Sequence, residues 1–223
     1  MYSFIILSLL ALFSCTEEVT DPDPLSFLAL GDSYTIGESV TIDQRWPVQL
    51  YQRLIDENIN MSEPQIIATT GWTTDELQNA MDEADLESDY DLVSLLIGVN
   101  NQYRGYPIGQ FKTEFETLLE EAILYAGHRK DRVIVLSIPD YGVTPFGKTR
   151  DPEKIAKELD EYNEIKKLIC EQAGVSFFNI TNHSRNALTD QSLVAQDLLH
   201  PSGSMYSHWV DTVYPTVLSM FKN

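Results

Sequence analysis

From residue 26 onward the chain alternates short, nearly continuous apolar runs with longer stretches whose apolar residues recur every three or four positions. The runs SFLALG (26–31), QIIATT (65–70), LVSLLIG (92–98), RVIVLSI (132–138) and VSFFNI (175–180) have the length and composition of buried strands. Helical periodicity covers 46–57, 74–86, 108–126, 153–173 and 203–221. In the fourth of these Ile155, Leu159, Tyr162, Ile165 and Ile169 make the stripe, and Gly174 supplies the stop. Pro47 suits the first turn of a helix carrying Val48, Leu50, Tyr51 and Leu54, while Thr73 followed by Glu76 spells a capping box. Alternation of this kind predicts βαβ units, and so an α/β three-layer sandwich with a five-stranded parallel sheet and helices on both faces. Residues 99–107, 139–151 and 181–202 follow neither period.

In an open parallel sheet, ligands bind where the loops leave the C-terminal strand ends. GDSYTIG leaves the first predicted strand, TTGWTT the second, GVNNQYRG the third and PDYGVTPFG the fourth. All four loops therefore emerge along one edge.

Length and charge narrow the partners. A chain of 223 residues suits one α/β domain, and no Ser/Gly-rich linker divides it. With 34 acidic against 15 basic residues the formal charge is -19, which repels nucleic acid and other polyanions. The opening MYSFIILSLLALFSC is too short an apolar run to span a bilayer and reads as the core of an export signal, although no Lys or Arg precedes Arg45. Leu12-Phe13-Ser14-Cys15 resembles the lipobox of bacterial lipoproteins. That resemblance implies a signal peptide over 1–14, cleavage before Cys15 and lipid attachment to its thiol. The following residues 15–24, with two prolines and no apolar pattern, read as a flexible tether to a domain over 25–223. The expected location is outside the cytoplasm, on a membrane, facing the periplasm or the cell exterior. Cys170 is then left without an intramolecular partner, in a helical pattern that suits a small buried hydrophobe.

Ser33 follows a strand at a glycine-flanked turn, where it can serve as a cap, a phosphate contact or a nucleophile. The phosphate-loop pattern GxxxxGK[ST], the dinucleotide pattern GxGxxG and the elbow GxSxG are all absent. A serine nucleophile needs a base near neutral pH and an acid that fixes the base's tautomer. Of His128, His183, His200 and His208, only His200 has a carboxylate three residues earlier in an irregular segment, Asp197. In a compact turn the two side chains can face the same side, although a cap and a surface histidine fit the same spacing. Acyl transfer also needs donors for the developing oxyanion. The N–H groups of Ser33 and Gly71 and the amide of Asn100 are candidates; Gly71 also suits a plain turn, and Asn100 a helix cap.

Taken in order, Gly31-Asp32-Ser33 with Gly37, then Gly71, Gly98-x-Asn100 and Asp197-x-x-His200 resemble the four blocks of the SGNH/GDSL hydrolase superfamily. The resemblance runs from about residue 25 to 221, nearly the whole mature domain. It implies an SGNH-like sandwich and an ester or thioester hydrolase. Ser33 would attack, His200 act as base and then acid, and Asp197 orient it, with Ser33, Gly71 and Asn100 as oxyanion hole and no metal or organic cofactor. Asp32 would support the turn rather than serve as triad acid. Tyr34 replaces the leucine of the usual spelling, and Asn101 stands where many relatives have Asp.

Trp72, Tyr103, Tyr106, Tyr141 and Phe146 fall on the crevice loops. They suit an apolar acyl or aryl pocket, a stacking surface for an acetylated sugar, or packing of a lid over 139–151. Arg104 suits either a polar leaving group or solvent. The expected substrate is a small ester or thioester, as for an arylesterase, thioesterase or lysophospholipase relative. A carbohydrate O-deacetylase of the same fold and a noncatalytic surface-binding lipoprotein are the alternatives, and the sequence leaves oligomeric state open.

Overall fold

The computed structural model describes residues 23–222. The leader, Cys15 and most of the tether lie outside the described residues. Five strands form the expected parallel sheet: β1 (Phe27–Gly31), β2 (Gln65–Ala68), β3 (Leu92–Leu96), β4 (Val133–Leu136) and β5 (Ser176–Phe178). Their order is β2-β1-β3-β4-β5, so the chain reverses its direction of winding between β1 and β3, where an α/β sheet opens its crevice. Every residue of β1, β3 and β4 is buried, which is why these strands read as continuous apolar runs.

The helices in chain order are α1 (Ser33–Ile36), α2 (Trp46–Asp56), α3 (Thr74–Glu83), α4 (Val99–Tyr103), α5 (Ile108–Tyr125), α6 (Pro145–Lys148), α7 (Pro152–Ala173), α8 (Thr181–Ser184) and α9 (Gly203–Phe221). α2 pairs with α9, while α5 packs between α3 and α7, giving the two helical layers. Trp46, Leu50 and Leu54 of α2 and Trp209, Val213 and Val217 of α9 are fully buried at 0% exposure. Each contributes about 1.5–3 kcal/mol of burial before conformational entropy is charged against it. Local signals acted as read: Pro47 sits in the first turn of α2, Glu76 reaches back to accept the Thr73 N–H at 2.9 Å, and Gly174 ends α7 at φ 75°.

The differences lie at boundaries and in the aperiodic stretches. α3 stops at Glu83 rather than 86, because the chain turns extended at Ala84. The segments 99–107, 139–151 and 181–202 hold α4, α6 and α8, helices of four or five residues, too short for an apolar period to show. The α7 stripe also contains a polar member: Lys166 is 0% exposed, whereas Ile165 is half-buried.

Candidate active site

Ser33 owes its position to the sheet. β1 ends at Gly31, and a Cβ there would come within 2.2 Å of Thr35 Oγ1 and 2.5 Å of the Leu96 carbonyl, so only glycine lets α1 start so close to β3. Asp32 caps α1 by accepting the Tyr34 N–H at 3.0 Å, and Gly37 closes it in the left-handed region at φ 70°. As the first residue of the helix, Ser33 presents an N–H with no acceptor inside it.

His200 arrives on a loop. Its Nδ1 lies 2.5 Å from Asp197 Oδ2, which places the proton on Nδ1 and leaves Nε2 free to accept one. Asp197 Oδ1 takes the N–H groups of Leu199 and His200, each at 3.0 Å, and Ser39 donates its hydroxyl to Oδ2 at 2.7 Å. Burial pushes the Asp197 carboxyl up, but the His200, Leu199 and Ser39 hydrogen bonds outweigh it and hold the pKa at about 2. Between acid and base the chain passes through Leu198 at φ 66°, a left-handed conformation for a residue with a branched side chain.

These residues converge on one cavity of about 190 Å³, lined by Ser33, Asn100 and His200 together with Tyr34, Tyr103, Tyr141 and Phe146. Val99 and Leu199 complete its wall. Ser33 is 4% and His200 8% exposed. Among the described residues no hydrogen bond joins the Ser33 hydroxyl to His200, a contact that often tightens only when substrate binds. Gly71 is not part of the cavity wall, but the Asn100 amide donates to the Trp72 carbonyl at 2.8 Å and so ties the 71–72 turn to the site, leaving its second N–H uncommitted. Gly71 itself has φ 94°.

Several side chains take roles the sequence did not reveal. Tyr34, where the usual spelling has leucine, sets its ring edge-on to His200 at 6.0 Å and to Trp209 at 6.1 Å. Arg104 is exposed, and it is also engaged: it pairs with Glu76 at 3.1 Å and donates to the Gly71 carbonyl at 2.7 Å. Asn101 is buried and clamps Thr74, accepting its N–H at 3.1 Å and donating to its hydroxyl at 2.6 Å, so the Asn-for-Asp difference ties α4 to the start of α3. Of the five loop aromatics, Tyr103, Tyr141 and Phe146 line the cavity, whereas Trp72 packs against the core and Tyr106 lends its carbonyl to the Tyr162 hydroxyl.

Under the site lie two buried ionisable groups. Desolvation pushes Asp32 up to about 7, opposed by the Tyr34 N–H and Lys166, and its Oδ2 has no partner. Desolvation likewise pulls Lys166 down to about 7 while its Nζ donates to the carbonyls of Ile97 at 3.1 Å and Leu136 at 2.8 Å. It holds the C-terminal ends of β3 and β4 together below α4. A lysine at stripe spacing between Tyr162 and Ile169 was the signal for it. Cys170 is buried as expected, its thiol pushed up to about 12 mainly by burial. His183 stacks on His208 at 6.1 Å and His128 occupies an exposed turn; none of the three lines the cavity.

The model of the GDSL-like Lipase/Acylhydrolase family matches residues 29–208, and the chain belongs to that family. It is a serine ester hydrolase of the SGNH/GDSL type. Among solved structures it is similar to the lipase/acylhydrolase from Enterococcus faecalis, at 18% identity and TM-score 0.66 over 89% of this chain and 97% of that one. Axe2, an acetylxylan esterase from Geobacillus stearothermophilus, matches at 17% identity and TM-score 0.65 over 87% and 94%. The psychrotrophic esterase EstA from Pseudoalteromonas sp., in a structure inhibited by monoethylphosphonate, matches at 16% and 0.62 over 89% and 99%. At these identities the likeness establishes the fold alone. No curated protein sequence matches the chain.

Proposed function

We propose that Ser33, His200 and Asp197 hydrolyse carboxylic esters or thioesters through an acyl-serine intermediate. The observation that carries this reading is the convergence of Ser33, Asn100 and His200 on one cavity, with Nδ1 of His200 committed to Asp197. Nε2 takes the Ser33 proton as Oγ bonds to the acyl carbon. The Ser33 N–H and the free N–H of Asn100 receive the charge that develops on the carbonyl oxygen, and Gly71, outside the cavity wall, is assigned to the same oxyanion hole by the family resemblance alone. The same Nε2 then delivers its proton to the leaving oxygen or sulfur, and water, deprotonated by Nε2, releases the acid.

The cavity wall of Val99, Tyr103, Tyr141, Phe146 and Leu199 suits an apolar acyl or aryl group, which favours an arylesterase, thioesterase or lysophospholipase activity. A second reading, removal of acetyl groups from a carbohydrate, is favoured by Tyr103, an exposed aromatic residue in the cavity lining that can contact a sugar. Rates on simple esters of increasing chain length against acetylated oligosaccharides separate the two; a steep preference for acetyl-sugars overturns the first. Exchanging Ser33 for Ala removes almost all turnover, about 10³-fold or more, and leaves the fold intact; equal turnover by variant and parent defeats the proposal. Export and lipid attachment at Cys15 complete the proposal, on the strength of the N-terminal sequence. Mass spectrometry of the exported chain checks it, and an unmodified chain beginning at Met1 overturns it.

A further inference from the structure

Tyr103 and Tyr141, which line the cavity above Ser33, pack edge-on at 6.1 Å and have a further space on their other side. The same two rings wall a second hollow of about 320 Å³, which touches neither Ser33 nor His200. Three cations line it, Arg104, Arg150 and Lys154, with two carboxylates, Asp151 and Glu158, in a chain where acidic residues outnumber basic ones 34 to 15. Most of these charges are engaged. Arg104 is held by Glu76 and the Gly71 carbonyl. Glu158 accepts from Gln102 at 2.7 Å and lies 3.7 Å from Lys154, and Asp151 caps α7 through the Lys154 N–H.

Arg150 is the exception. Its guanidinium lies over the rings of Tyr103 and Phe146, 5.0 and 4.5 Å from their centroids, and Nη2 donates to the Tyr103 hydroxyl at 2.7 Å. Among the described residues it has no carboxylate within 4.0 Å. A flat cation fixed on two aromatic faces, with most of its five donors uncommitted, is built to receive a planar oxyanion in two-point contact.

Resting on the hydrolase reading of Ser33 and His200, we infer that this hollow binds a carboxylate at the far end of the acyl group. The substrates are then half-esters or half-thioesters of dicarboxylic acids. The acyl end is assigned by chemistry: Nε2 of His200 must protonate the leaving group, so that group stays beside His200. The portion that extends past Tyr103, into a hollow His200 does not reach, is the acyl chain.

The test compares para-nitrophenyl half-esters of glutaric, adipic and pimelic acids with the matching esters ending in a neutral carboxamide. For at least one chain length the parent protein is expected to favour the carboxylate in kcat/KM by about tenfold, the worth of one charge-assisted hydrogen bond. Arg150→Gln brings the ratio to about one, and Arg150→Lys retains part of it as a point charge without the fork. Added salt shrinks the parent's preference. A parent ratio near one at every length, or a ratio that survives in Arg150→Gln, overturns the inference while leaving the hydrolase reading intact. Equal slowing of both esters in Arg150→Gln also overturns it, assigning Arg150 to support of the rings. No turnover of any ester by the parent defeats the hydrolase reading and this one with it.

Discussion

Ser33 and His200 face the same cavity, yet they are held by opposite means. The nucleophile stands at the end of a fully buried strand, with Gly31 pressed against β3 and the four-residue α1 behind it. The base stands on a stretch without regular structure, held by Asp197 and a few hydrogen bonds, with Leu198 in a strained conformation between them. Packing fixes the first and polar contacts the second. Substitutions that disturb the packing which positions Ser33, as opposed to removal of its hydroxyl, should therefore move stability and activity together, and substitutions at the His200 end should move chiefly activity.

The largest expected effect tests the second half of that statement. Asp197→Asn can still accept the Leu199 and His200 N–H groups, but its amide offers a donor where His200 Nδ1–H needs an acceptor. The wrong tautomer then faces Ser33, and kcat should fall by about 10³ to 10⁴-fold with little change in melting temperature. A melting temperature that falls with activity would show that the loop, too, is held through the fold. Acid acts on the same carboxyl. Because its pKa is lowered from 3.8 to about 2, the carboxylate's modest, solvent-screened contribution to stability is present above about pH 4 and is lost as pH falls toward 2, and it sets the only stability cost expected of Asp197→Asn at neutral pH.

The next effect tests the first half. Gly31→Ala places a methyl against Thr35 and the Leu96 carbonyl, where backbone has to move. A cost of about 2–3 kcal/mol is expected by denaturant titration, with turnover falling in step as Ser33 shifts. Full stability with lost activity would break the comparison.

A smaller effect concerns the pair beneath. Asp32 ionises near 3.8 when unfolded and near 7 in the fold, so folding loses stability as pH rises from about 4 to 7 and stays lower above. Asp32→Asn keeps an acceptor for the Tyr34 N–H and has no charge to bury. Urea denaturation from pH 4 to 8 should show the parent's stability declining and the variant's curve flatter. A parent curve that rises over this range would show that Asp32 is ionised in the fold, neutralised by Lys166.

The same contrast explains what could be read from the sequence. All five strands and all five long helices were legible, because burial makes a sheet strand a short continuous apolar run and imposes a period on a helix of ten or more residues. Ser33, Asn100 and the Asp197–His200 pair were picked out by the family resemblance that their blocks carry in order; spacing alone left a cap or a surface role open for each. The contacts of Arg104, Asn101 and Tyr34 were not legible because their partners, Gly71, Thr74 and His200, are distant in sequence and a side chain's partner leaves no periodic trace. The short helices α1, α4, α6 and α8 escaped for a related reason: caps and tertiary hydrogen bonds hold them, as Asp32, Thr144 and Asn101 show, and four residues cannot display a stripe. Lys166 was visible as a polar residue at an apolar spacing, but only the carbonyls of Ile97 and Leu136 explain why it is there.

The smallest expected effect lies at Leu198, between the acid and the base. Its carbonyl accepts the Phe146 N–H at 3.1 Å, linking the loop over 139–151 to the acid–base turn, while its side chain is 55% exposed. Leu198→Gly relieves a left-handed penalty of about 1–2 kcal/mol and adds unfolded-state entropy of about 0.5–1 kcal/mol, so stability should change by about 1 kcal/mol at most. If the hydrogen bonds of Asp197 hold the turn, kcat should stay within about twofold, because those contacts and the Phe146 bond survive the substitution. A larger fall in kcat at unchanged stability would mean that the leucine side chain limits the motion of His200. The base would then be held by sterics as the nucleophile is, and the distinction between the two ends would fail at its narrowest point.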